Sequence, residues 1–329
     1  MSDHIPVLLK ESCEILLPAL VSQSDITPIL MDCSIGCAGH SLEFFRATKG
    51  NLFLLGIDVD DEILKMAEEN LMRGGVPEKK FKLVRANFED VDAVLDDLGI
   101  SEVSAVFYDV GFNSVVVENA ERGFSLMKDG LLDMRFDRRL KVSAADLVNS
   151  LSGQELKEIF WKFGGERRAK FLSDVIVKKR LKSPIRTTKE LAELVEKFTP
   201  RKLKQTGHLH PATKIFQALR IAVNRELEVL EKSLKKVLGY LKALAHVAVI
   251  TYHSGEDKIV KDIFRTVSRS CSCPPEQPFC SCGGKPAFKV LTPHPIVPTI
   301  EEVYRNPRAR SGKLRAICKL HKTEKIKKD

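Results

Sequence analysis

Three aspartates and a phenylalanine follow four apolar runs at regular intervals. Asp32 closes Pro28-Ile29-Leu30-Met31 and Asp58 closes the run from Leu52 to Ile57. Phe88 follows Phe81-Lys82-Leu83-Val84, and Asp109 closes the run from Val103 to Tyr108. After Asp32 comes a turn of small residues, Cys33-Ser34-Ile35-Gly36-Cys37-Ala38-Gly39-His40-Ser41, and then a helix-like run, Leu42-Glu43-Phe44-Phe45-Arg46. Small residues let a backbone approach a ligand, and the first N–H groups of the following helix point at whatever sits there. Asp58 lies 19 residues past Gly39. A carboxylate there, at the end of the second strand, is where a Rossmann-type sheet hydrogen-bonds a ribose. The turn is not a clean GxGxxG, so an ordinary strand–helix turn with a solvated aspartate is its competing reading. For Phe88, core packing is the commoner fate of a phenylalanine; its place in the third loop sets flanking a nucleobase beside that reading as an equal.

These groups need a frame that brings them to one edge. Between the apolar runs the spacing predicts helices: Asp60 to Met72, with Ile63, Leu64, Ala67 and Leu71 on one face, and Val91 to Leu98. Strand and helix alternating at short intervals predict an α/β fold with a mostly parallel sheet and right-handed crossovers. Ligands in such sheets sit outside the carboxyl ends of the strands. A helix from Glu11 to Leu17, interrupted at Pro18, precedes the first strand. Val247 to Tyr252 reads as a fifth strand, followed by a helix from Lys258 to Ser268, and Lys289 to Thr292 as the last strand.

The alternation stops between about residues 140 and 208. Helices are expected at Ser143 to Leu151, Ser152 to Phe163, Glu166 to Leu181 and Thr188 to Phe198, with Ser143 and Asp146 at capping-box spacing. The expected division is residues 1–120 and 209–329 for the sheet domain and 121–208 for an inserted all-α domain. A long helix should run from His210 to about Leu238.

The net charge is +9, and residues 151–220 carry 17 Lys and Arg against 7 Asp and Glu. A basic block beside a near-neutral remainder suggests an anionic partner, RNA above all. A solvated helical surface is the bland alternative. No apolar run reaches the ~18 residues of a membrane span, and the opening Met1-Ser2-Asp3-His4-Ile5-Pro6 is not a secretory leader. A cytoplasmic location is therefore expected. The eight cysteines include Cys271-Ser272-Cys273 and Cys280-Ser281-Cys282. Four thiolates that close suit a structural Zn²⁺, although CxxC is the commoner spacing. Free thiols and disulfides are the other readings.

The chain resembles the ribosomal RNA small-subunit methyltransferase H family. The resemblance rests on His4-Ile5-Pro6-Val7-Leu8-Leu9, on Gly39-His40-Ser41 after Asp32, on Glu121-Arg122-Gly123-Phe124-Ser125, on Leu132-Asp133-Met134-Arg135 and on Gly165-Glu166-Arg167. Further on it rests on His210-Pro211-Ala212-Thr213, the run from Phe216 to Ile221, His253-Ser254, Glu256-Asp257 and the run from Asn306 to Ser311. These segments run in family order from residue 4 to about 317. The resemblance implies a class I S-adenosylmethionine-dependent methyltransferase fold, Rossmann-like and mostly parallel, with a helical insertion after the fourth strand. It implies methylation of the exocyclic N4 of a decoding-centre cytidine in 16S rRNA. It places cofactor contacts at Ala38, Gly39, His40, Asp58, Phe88, Asp109 and Val116. Three positions depart from the family pattern. Ala38 stands where a glycine is usual and Gly255 where a leucine is. Val110 to Val116 replaces a loop whose glutamine would touch the cofactor. A valine at 116 forgoes one side-chain hydrogen bond, worth about 0.5–1.5 kcal/mol net.

The cytosine amine is a poor nucleophile, so methyl transfer to it needs in-line positioning and an acceptor for a hydrogen bond from its N–H as the nitrogen pyramidalises. Asp109 and Asn113 are the candidate acceptors. A base reaching a sulfonium methyl must leave its stack, and its flanking phosphates need cations. Arg167, Arg168, Lys178, Lys179, Arg180, Arg201, Lys202 and Lys204 are the candidates in the insertion, with Arg308 and Arg310 near the C-terminus. His210 reads as a core or capping histidine. The partner is small-subunit rRNA or the assembled subunit. Two other readings remain at this point: a catalytically weak RNA-binding assembly factor on the same fold, favoured by the altered 112–116 loop, and a nicotinamide oxidoreductase, disfavoured by the poor dinucleotide fingerprint.

Overall fold

Parallel strands buried on both faces should be apolar at every position, because each face packs a separate layer. The computed structural model has that arrangement. It describes residues 5–21, 26–111, 117, 119–200, 210–269 and 286–321. The chain forms two compact units, Met1–Gly111 with Glu228–Asp329, and Phe112–Leu227.

The first unit is built on a seven-stranded sheet of order β3-β2-β1-β4-β5-β7-β6. Its strands are β1 (Ile29–Asp32), β2 (Phe53–Asp58), β3 (Phe81–Arg85), β4 (Val103–Asp109), β5 (Leu241–Thr251), β6 (Phe288–Val290) and β7 (Lys313–Lys319). The first five are mutually parallel, and β7 runs antiparallel between β5 and β6. This is the class I methyltransferase sheet that the resemblance implies. Alternate residues feed opposite layers. Leu30, Leu54, Ala105 and Ala248 pack with the helices α1 (Leu9–Leu20), α2 (Gly39–Ala47) and α3 (Asp61–Arg73). Met31, Leu55, Val106 and Val249 pack with α4 (Val91–Asp97) and with residues of two later helices, 226–237 and 254–267. Among the described residues no helix is long and apolar enough to cross a membrane.

The second unit contains α5 (Ala144–Ser150), α6 (Gly153–Gly164), α7 (Ala169–Arg180), α8 (Thr188–Lys197) and α9 (Thr213–Asn224). Capping boxes start three of them, at Ser143/Asp146, Ser152/Glu155 and Thr187/Glu190. Two of the family segments are bolted together here. Arg122, 4% exposed, donates from Nη2 to the carbonyls of Arg135 and Phe136, and Met134 N–H donates to the Arg122 carbonyl at 3.0 Å. Asp133 accepts both nitrogens of the Arg135 fork at 2.7 Å. These bonds tie the two segments to each other.

Three local expectations differ from the structure. The helix expected from His210 to Leu238 is two helices, α9 and α10 (Glu226–Val237), because Arg225 adopts a left-handed φ of 51°. The apolar residues of α9 join the insertion's core, so the second unit takes in both expected boundaries, 121 and 208. Helix α1 runs through Pro18: its missing N–H forfeits a single bond near the helix end, too little to stop the helix. And Lys289–Thr292 is not the last strand. The sheet continues into β7, where Arg315 lies 8% exposed on Asp257 at 2.6 Å. The charges among Leu314, Ala316 and Ile317 masked the strand pattern.

Candidate active site

Register places the acidic groups at one rim. Asp32 pairs with Gly56 on one side and Phe107 on the other. Asp58 and Asp109 therefore lie two residues farther along the flanking strands, about 6.6 Å beyond Asp32. Asp32 sits beneath them, 2% exposed. It accepts the Ser34 N–H at 3.1 Å and the Ser41 hydroxyl at 2.7 Å. Burial pushes its carboxyl up to about 7, against those two hydrogen bonds. Ser34 in turn accepts the Asp109 N–H at 2.6 Å. Asp32 thus acts as a foundation, tying the turn after β1 to the end of β4.

The turn itself is tight. Gly36 and Ala38 have φ of 51° and 64°, and Asn70 donates to the Cys37 carbonyl at 3.1 Å. Ala38 holds the left-handed N-cap position of α2, a conformation that glycine takes at no steric cost. A Cβ on Gly39 would stand 2.9 Å from Pro6, so the N-terminal segment closes over this helix start. His40 Nε2 donates to the Val7 carbonyl at 2.9 Å. A carbonyl can only accept, so Nε2 carries a proton. The other nitrogen, Nδ1, lies 3.8 Å from Asp109 Oδ2. The late Asn306 segment holds the same N-terminal strap: Asn306 Nδ2 donates to the Ile5 carbonyl at 3.0 Å and Leu8 N–H donates to Glu302 at 2.7 Å.

Asp109 also has a partner that sequence reasoning missed. The Tyr252 hydroxyl donates to its Oδ1 at 2.8 Å. Burial, and then the nearby Asp109 charge, push the Tyr252 phenol well above its ordinary value, so it stays protonated and donates. The available signal was its position immediately past β5, the neighbour of β4. His253 and Glu256 shape that corner as a capping box for α11 (Ser254–Val267). Ser34 and Ser41 were missed for a similar reason: a serine's role depends on what it faces.

Asp58 accepts the Asp60 N–H at 3.1 Å. Burial pushes it up to about 6, and the Asp60 charge adds to that. Phe88 stands in a 3₁₀ turn after β3, half-buried, edge-on to Tyr108 at 5.8 Å. Asp32, Asp58, Phe88, Asp109, Gly39 and His40 thus all belong to the carboxyl-end side of one sheet. Asn113 and Val116 lie outside the described residues, as do Arg201, Lys202, Lys204 and the cysteines 271, 273, 280 and 282.

The cationic candidates divide. Arg167, Lys178, Arg308 and Arg310 are exposed. Arg180 donates to the Val148 carbonyl at 2.8 Å and Arg168 to the Phe198 carbonyl, so both brace helices; Lys179 is half-buried. His210 takes the capping role: its Nδ1 accepts the Ala212 N–H at 3.2 Å.

A family model described as the MraW methylase family matches residues 1–320. A protein of Finegoldia magna is 40% identical over 317 residues, covering 96% of this chain and 98% of its own. One of Trichlorobacter lovleyi is 42% identical over 317 residues, 96% and 98%. One of Caldicellulosiruptor saccharolyticus is 40% identical over 320 residues, 97% and 100%. All three are named ribosomal RNA small subunit methyltransferase H.

Proposed function

The chain belongs to the MraW methylase family, and we propose on that footing that it transfers a methyl group from S-adenosylmethionine to the exocyclic amine of a cytidine in small-subunit rRNA. The observation that carries this reading is the whole-length match at about 40% identity to small-subunit rRNA methyltransferases, on a chain whose acidic groups share one sheet rim. It outweighs the assembly-factor and oxidoreductase readings. The assembled subunit as substrate and a cytoplasmic location belong to the same proposal.

The donor set at the rim fits the cofactor. Asp58 offers a carboxylate to a pair of ribose hydroxyls, Phe88 a ring to a purine, and Asp109 a negative charge to a sulfonium. Gly39, with no side chain, and the backbone N–H groups that open α2 are offered to the cofactor. Ala38, His40 and Val116 complete the set by resemblance. Bound there, the cofactor supplies an electrophilic methyl on sulfur. Asp109 then accepts the proton that the cytosine amine loses as it forms its bond to carbon, and Asn113 accepts a hydrogen bond from the same amine. Tyr252 and Ser34 hold Asp109 in place for that task, and the exposed Arg167, Lys178, Arg308 and Arg310 neutralise RNA phosphates, with Lys179, Arg201 and Lys202 alongside.

Mapping methylcytidine in small-subunit RNA with and without this protein tests the reading; an unchanged methylation pattern removes it. RNA affinity is expected to fall at least about a hundredfold between 50 and 200 mM salt, since several phosphates release counterions on binding. A flat dependence would detach the basic insertion from RNA recognition. A structural zinc at Cys271, Cys273, Cys280 and Cys282 is proposed on their spacing alone. Metal analysis after chelator-free purification should find about one zinc per chain, and its absence would leave four free thiols or disulfides.

A further inference from the structure

We propose that Phe171 and Phe198 form a stacking platform for an unpaired nucleobase of the RNA, a subsite on the helical insertion separate from the methyl-transfer rim. This rests on the rRNA reading above. Phe171 and Phe198 are 46% and 39% exposed, the two most exposed phenylalanines among the described residues. They are not scattered: their rings meet edge-on with centroids 6.1 Å apart. Phe171 lies in the first turn of α7 and Phe198 caps the end of α8. Two apolar rings held together in water gain little from folding unless something covers them.

Each ring also carries a cation. The Arg168 guanidinium lies 5.0 Å from the Phe171 centroid, and Lys197 Nζ lies 6.0 Å from that of Phe198. Arg168 is pinned there, because its Nη2 donates to the Phe198 carbonyl while its own N–H donates to Glu166 at 2.8 Å. Helical spacing puts Asp174 and Lys178 on the Phe171 side of α7; with Arg168 and Lys197 at the rings, three cations stand against the carboxylates of Asp174 and Glu166, the latter already bonded to the Arg168 N–H. Aromatic rings with Arg and Lys over one face are what a single-stranded nucleic acid uses: bases stack against the rings and the phosphates between them meet the cations. A peptide surface would need apolar or acidic complements, and the positive surroundings favour the polyanion.

The test uses the full chain and two labelled RNAs of about ten nucleotides, one unstructured and one fully paired. Phe171→Ala and Phe198→Ala should each weaken the unstructured RNA by roughly 5- to 150-fold. The duplex, whose bases already stack on one another, should bind as before. Phe171→Trp should restore affinity, which a purely structural ring would not predict. The salt dependence should keep its slope in the alanine variants and flatten in Arg168→Gln, because only the latter removes a charge. S-adenosylmethionine affinity reports on folding of the sheet unit and methylation on the intact enzyme. If the double alanine variant still methylates and binds unstructured RNA within about twofold of the parent, the platform is wrong while the rRNA reading stands, and the rings serve a protein surface. If the parent chain binds neither RNA, the platform falls, while the rRNA reading is decided separately by the methylcytidine map.

Discussion

Asp109→Asn is expected to lower kcat for cytidine methylation by about 10²- to 10⁴-fold, the usual worth of a positioned proton acceptor. The substitution is nearly isosteric. An asparagine oxygen can still accept from the Tyr252 hydroxyl, which now bonds Oδ1 at 2.8 Å, and the backbone bond to Ser34 does not involve the side chain. What disappears is the charge, and with it the basicity that takes up the amine proton. Because the proposed site also sets Asp109 against the cofactor, cofactor affinity should be measured separately; the expected loss lies in turnover at saturating cofactor and RNA. Tyr252→Phe serves as the companion variant. It leaves the carboxylate but frees one oxygen, so turnover should fall less than in Asp109→Asn. Turnover of Asp109→Asn within twofold of the parent would assign the proton to another group.

Cofactor affinity should also fall with acidity, by about tenfold per unit below pH 6, and lie flat above pH 7. Asp58 in the free protein is pushed up to about 6. In the proposed site its ionised form would accept the ribose hydroxyls, so a proton would compete with the cofactor. The stability effect has the opposite sign. A folded-state value above the ordinary 3.8 means that the native chain binds more protons than the unfolded chain between about pH 4 and 6. This carboxyl therefore destabilises the fold when ionised and favours it as pH falls toward 4, so weaker binding at pH 5 is not unfolding at that site. Asp58→Asn should bind about a hundredfold more weakly at pH 8, the loss of charged hydrogen bonds, and should lack the step near pH 6. Calorimetric titration from pH 5 to 8 reads both. A step that survives in Asp58→Asn would belong instead to Asp32, pushed up to about 7.

Much of this protein was determined by local sequence. Apolar runs ending in Asp32, Asp58 and Asp109 specified parallel strands and their order of use, since a strand buried on both faces has no other composition open to it. The capping boxes at Ser143, Ser152 and Thr187 marked helix starts, because a cap is a bond between residues three apart. Tertiary structure decided what depends on distant partners. Arg225 splits a continuous apolar stripe by one left-handed residue. The strand β7 carries Lys313, Arg315 and Lys319 among apolar residues, and their charges find distant partners: Asp257, 58 residues away, receives Arg315 and the Leu241 carbonyl receives Lys319. Tyr252 becomes a site residue only through Asp109, 143 residues earlier. Periodicity and capping act within a few residues and are written in the chain. An ion pair or hydrogen bond between strands depends on where the sheet brings two side chains together, and no local pattern carries that information.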